Sequence, residues 1–91
     1  MRFVIELVTE HDYLVRVDAD GDTVQAEFYL DPDLLQRLGV PDADERQVVE
    51  QTAMFLAERQ PVIDFPSMVD LADVLAAYVD YPQRLRELLA R

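Results

Sequence analysis

Glu10-His11-Asp12 sets the one histidine of the chain between two carboxylates. An imidazole beside a carboxylate can move a proton near neutral pH or hold a metal ion. Neighbours in a turn point in different directions, however, and a metal set needs more ligands than one turn offers. The chain has no second histidine and no cysteine to supply them. His11 therefore reads as a solvated turn residue whose pKa its neighbouring carboxylates raise. Two further acid pairs, Asp42/Glu45 and Asp70/Asp73, fall three apart in helical segments. Paired acids do glycosidase-type work only across a cleft that holds a sugar, and a domain this small has little room for one. Asp42 and Glu45 read better as helix caps, and Asp70 and Asp73 as the wet edge of a buried helix. The single serine, Ser67, lacks a nucleophile-elbow setting and reads as another cap. Lysine is absent as well, so the combinations that nucleophilic or zinc catalysis requires cannot be assembled. The expectation is a protein that is not an enzyme, with no cofactor and no metal.

Asp18-Ala19-Asp20-Gly21-Asp22 is the more tempting motif. Acids at alternate residues let hard oxygen ligands converge on one cation, and the run resembles the opening of an EF-hand calcium loop. The likeness then fails three times. Where that loop needs glycine the chain has Thr23, where it needs an apolar residue Gln25, and where it needs the bidentate glutamate Tyr29. The flanks also read as strands, whereas that loop sits between helices. Asp-Gly is what a tight hairpin asks for, and a plain turn is expected.

The elements around these residues follow from period. Phe3, Ile5 and Leu7 alternate, as do Tyr13, Val15 and Val17, and then Val24, Ala26, Phe28 and Leu30. Short polar turns separate the runs, which predicts a three-stranded antiparallel meander with the middle strand central. Placing Val17 opposite Val24 puts Val15 opposite Ala26 and Tyr13 opposite Phe28, and keeps one apolar face throughout. Arg16 then lies diagonal to Glu6 and Glu27 on the other face.

The remainder is helical. Asp31-Pro32-Asp33-Leu34 supplies an N-cap and a proline for the first turn, and Gly39 stops that helix with Val40 folding back on Leu35. A second helix runs from Asp42-Ala43-Asp44-Glu45 to Gln60, burying Val48, Val49, Thr52, Ala53, Phe55 and Leu56. A third starts near Ser67 and carries apolar residues to Val79, interrupted only by Asp70 and Asp73. It should be the most buried helix. Asp80-Tyr81-Pro82 restarts the chain into a last helix with Leu85, Leu88 and Leu89 on one side. The fold class is α+β: a three-stranded antiparallel β-meander followed by three or four α-helices packed on one face, as one domain over residues 1–91.

Charge bounds the partners. With 19 acids against 8 arginines the net charge is −11, which repels phosphate backbones and anionic lipids alike. No apolar run approaches the ~20 residues of a membrane span, and Glu6 interrupts any leader-like stretch. A soluble, cytoplasmic protein is expected, with no direct nucleic-acid or membrane contact. The lack of lysine and asparagine points to a GC-rich genome.

The surface most suited to work is the outer sheet face and its first strand. Val4, Val8, Leu14 and Tyr29 interrupt a face that should be polar, alongside Glu6 and Arg16. An uncharged edge strand is normally paired with a partner or covered by its own chain. The function expected is a small non-enzymatic interaction or regulatory module, its partner a basic protein or a second copy as a homodimer. The alternatives are a small-ligand or metal binder using the acidic turns, and an acidic decoy for a basic nucleic-acid-binding protein.

Overall fold

Three eight-residue strands lead the chain: β1 (Arg2–Thr9), β2 (Asp12–Ala19) and β3 (Asp22–Tyr29). The computed structural model describes every residue except Met1 and Asp20, and Ala19 only in its backbone. The meander has the expected register, with Val17 opposite Val24, Val15 opposite Ala26 and Tyr13 opposite Phe28. On the other side of β2, Phe3 faces Val17 and Ile5 faces Val15. Ile5, Tyr13, Val15, Val17, Ala26 and Phe28 are all buried, so one sheet face makes the floor of the core. Leu7, expected on that floor, is 58% exposed. A bulge between Leu7 and Thr9 ends the regular ladder there, and Val8 drops out of the pairing.

Helix α1 (Leu34–Arg37) is a single turn. Asp31 acts one step earlier than a cap of this helix, its Oδ1 accepting the Asp33 N–H at 3.0 Å. Gly39 has φ +78° and closes the turn as expected. Its N–H bonds to Gln36 O and the Val40 N–H to Leu35 O, the paired bonds of a Schellman stop. Helix α2 (Glu45–Arg59) is capped by Asp44, whose side chain accepts the Arg46 N–H, and it buries the six residues its period assigned. Pro61 ends it, since a proline can neither continue the hydrogen-bond ladder nor leave its predecessor helical.

The third helix is where the structure departs from the period. Ser67 through Val79 is not one helix. Met68–Asp70 forms β4, parallel to β3, and α3 covers only Leu71–Ala77. The sheet thus has four strands in the order β1-β2-β3-β4. Val69 is buried beside Phe28, and the Glu27 N–H bonds to Ser67 O at 2.9 Å. Ser67 serves the sheet rather than a helix; Asp70 caps α3 by accepting the Ala72 N–H. Only Leu71 and Val74 of α3 are buried, whereas α2 is the central helix. Helix α4 (Tyr81–Leu89) packs on α2 through Tyr81, Leu85 and Leu88. The Tyr81 hydroxyl lies 2.6 Å from Thr52 Oγ1, which itself donates to Val48 O at 2.7 Å, so both of these buried hydroxyls have partners. The architecture is α+β, with all helices on one face of the sheet's core side. No helix among the described residues is long and apolar enough to cross a membrane.

Candidate interaction surface

The outer sheet face is built by the period of two. Residues that do not enter the core must point the other way, and the register sorts them into rows. Arg2, Asp18 and Thr23 form one row, then Val4, Arg16 and Gln25, then Glu6, Leu14, Glu27 and Met68. Asp12, Tyr29 and Asp70 make the last. No residue of these rows is buried, so no helix covers this face. Val4, Leu14 and Tyr29 run diagonally across it, with Met68 beside the lower end, 72% exposed.

Of the residues the sequence singled out, Val4, Glu6, Leu14, Arg16 and Tyr29 share this face, and Val8 lies at the bulge outside the register. Arg16 sits on the expected diagonals to Glu6 and Glu27. Among the described residues it makes no ion pair, although it is half-buried.

The two edges of the sheet differ. At β1, Arg46 of α2 donates to the carbonyl of Ile5 and so occupies the outward side of the strand. The chain thus satisfies one outward acceptor of that edge itself. At β4 the ladder to β3 uses Ser67 O, both main-chain groups of Val69, and Leu71, which leaves the N–H and C=O of Met68 and the N–H of Asp70 turned away. A hollow of about 250 Å³ lies against this edge, lined by Leu56, Pro66, Val74 and Tyr78 together with Asp70 and Asp73. On the sheet's outer side a second hollow of about 410 Å³ shares Met68, Val69, Asp70 and Asp73 and adds Asp12, Glu27 and Tyr29.

His11 lies in the turn as expected, with a third of its side chain exposed, but it is not free there. It takes φ +65° at the tip of the first hairpin, and its Nδ1 lies 3.0 Å from both carboxylate oxygens of Glu45. The Tyr13 hydroxyl donates to the same carboxylate at 3.0 Å. The imidazole pKa is raised, first by the Glu45 hydrogen bond and then, against partial desolvation, by the charges of Glu45, Glu10 and Asp31. Burial, with the Glu45 bond second, pushes the Tyr13 phenol up to about 12. Glu45 is thus no cap; it ties the hairpin to the start of α2. Its partner lies 34 residues away, and no local pattern could have announced it. Neither hollow along β4 includes His11.

The acidic run 18–22 closes a tight hairpin, with Gly21 at φ +84° and Thr23 Oγ1 donating to Asp18 at 2.8 Å. Asp20 lies outside the described residues. Among the described residues, no three or more His, Asp or Glu side chains are grouped to hold a metal ion. No family model, curated protein or solved structure matches the chain. A fold of itself does not name a function, which must be read from the chemistry of these surfaces.

Proposed function

We propose that the chain is a small, acidic, non-enzymatic interaction module that docks a basic protein on the open face of its sheet. The observation that carries this is the uncovered diagonal of Val4, Leu14 and Tyr29, with Met68 at its end and the unpaired Arg16 beside it. A folded protein leaves few contiguous apolar patches in water without a use for them. The acids around the patch, Glu6, Glu27, Asp12 and Asp18, would meet cations of the partner at the rim. The charge of −11 supports a basic partner over a second copy, because it steers the one in and holds the other off. An acidic decoy for a nucleic-acid-binding protein is a special case of such a partner. The same charge supports a soluble, cytoplasmic setting without direct nucleic-acid or membrane contact. A binder built on the acidic turns finds less support, since Asp18 is already engaged by Thr23.

Leu14→Lys and Arg16→Glu test the reading against Met54→Lys on the outward side of α2. Met54 is exposed and its change should move stability by about 0.5 kcal/mol or less, while Leu14 and Arg16 are half-buried, so thermal melts first establish that both sheet-face variants keep the fold. Cross-linking and co-purification from host cells should lose the partner with the first two and keep it with the third. A partner retained by both sheet-face variants would sink the proposal. Light scattering showing a homodimer that Leu14→Lys dissolves would replace the basic partner by a second copy.

A further inference from the structure

We propose that the free edge of β4 accepts an extended peptide with alternating apolar and basic side chains, added to the sheet as a fifth strand. This goes beyond the sheet-face reading, because it uses the main-chain groups of the β4 edge together with Asp70 and Asp73, although Met68, Tyr29, Asp12 and Glu27 border both surfaces.

Three observations meet at that edge. The register with β3 directs the Met68 N–H and C=O and the Asp70 N–H outward, and none of them bonds to another described element. These are two donors and one acceptor in the spacing that a neighbouring strand would satisfy. Exposed edges are ordinarily blunted by charge, bulge or cover, as Arg46 blunts β1. The β4 edge is short and carries Asp70, but Met68 beside it is 72% exposed, and no side chain among the described residues bonds its outward main-chain groups.

The second observation is the pair of hollows. One lies towards the helices and is walled by Leu56, Val74 and Tyr78; the other lies on the outer face around Tyr29. Successive side chains of an added strand point to opposite sides of the sheet, so they would enter the two hollows in turn. An apolar side chain suits the helix side.

The third is charge. Asp12, Glu27, Asp70 and Asp73 line the two hollows, and no arginine does. Asp70 spends one oxygen on the Ala72 N–H and Asp12 one on Thr9, while Asp73 has no partner among the described residues. An arginine or lysine on the outer side of the added strand would pair with them. A second copy would bring its own Asp70 and Asp73 against the same acids, and like charges there oppose it.

The test uses the full chain and a short synthetic peptide alternating arginine and valine, followed by amide chemical shifts. Binding should shift Met68, Val69, Asp70 and Val74 and slow exchange of the Asp70 amide. The same peptide with every backbone amide N-methylated keeps charge and side chains but can donate no strand hydrogen bond from either edge, and should bind at least about tenfold more weakly. A glutamate-valine peptide should not bind. Asp73→Asn should weaken the basic peptide several-fold, while Leu14→Lys on the open face should change it far less. Equal affinity for the methylated peptide would reduce the contact to general attraction by an acidic surface and overturn strand addition. Loss of binding in Leu14→Lys with Asp73→Asn unchanged would move the contact to the sheet face. No shift with the basic peptide at millimolar concentration would refute the site outright.

Discussion

Arg46 donates its guanidinium to the carbonyl of Ile5, 41 residues earlier in the chain, and so satisfies one outward main-chain acceptor of the β1 edge. Ile5 faces Val15 in the ladder, and its carbonyl points away from β2 towards the start of α2. A strand approaching β1 would have to displace a cation from an acceptor already satisfied. At β4 no side chain among the described residues bonds the outward groups of Met68 or the N–H of Asp70.

Arg46→Ala should therefore do two things. It should lower stability by about 1 kcal/mol, since the carbonyl regains water as the bond is lost. It should also promote assembly through β1, seen as mass rising with concentration in light scattering. Arg46→Lys, which restores a cation, should suppress the assembly. A variant that stays monomeric and melts like the wild type would show that the bond guards nothing.

The His11–Glu45 contact makes stability depend on pH near neutrality. The folded imidazole binds its proton more tightly than the unfolded one, whose pKa is near 6.5. The stabilisation it gives is thus fully present below about pH 6.5 and is lost as pH rises through the raised folded value. Glu45→Gln removes the main cause and should flatten that part of the profile. Denaturant melts from mildly acid to mildly alkaline pH, wild type against variant, would measure the difference. Identical slopes for the two proteins would mean that Glu45 does not set the His11 proton affinity.

The meander was legible because a two-residue period forces the choice of face. Once Val17 is set opposite Val24, every later pair follows, and the structure has each of them. The face of α2 was legible for the same reason at a period of 3.6. The stretch after Pro66 was not. Met68-Val69-Asp70 is too short to show a period, and the Glu27–Ser67 bond that makes it a strand is a tertiary fact. Nor could the sequence show that Asp70 ends that strand and caps α3 in the same step. Five of the six residues expected to form an interaction surface fell on one face by alternation; the bulge that removed Val8 has no signature in Leu7-Val8-Thr9.

Core substitutions separate the short α3 from the long helix its composition suggested. Leu71 is fully buried, and Leu71→Ala should cost about 2–5 kcal/mol by opening a cavity. Leu75 is only half-buried, and its loss should cost clearly less. Met54→Ala, on the exposed side of α2, should cost under about 1 kcal/mol. Thermal melts of the three would rank them. A Leu75→Ala loss as large as that of Leu71 would favour one continuous buried helix.

Gly39 joins backbone strain to packing at a single atom. Its φ of +78° is open to glycine and disfavours any residue with a Cβ. A Cβ there would also stand 3.2 Å from Nη1 of Arg86. That guanidinium donates to Leu38 O at 3.0 Å and so completes the end of α1 from the last helix. Gly39→Ala should consequently cost about 1–3 kcal/mol, part from the left-handed backbone and part from pushing Arg86 off its carbonyl. The two parts can be told apart. In an Arg86→Met background the new methyl has no guanidinium to displace, so Gly39→Ala should cost about 0.5–1 kcal/mol less than in the wild type. The backbone part should remain, because the conformation is fixed by the Leu35–Val40 bond and not by Arg86. A double-mutant cycle in urea measures both, and strict additivity would show that Arg86 moves aside without cost.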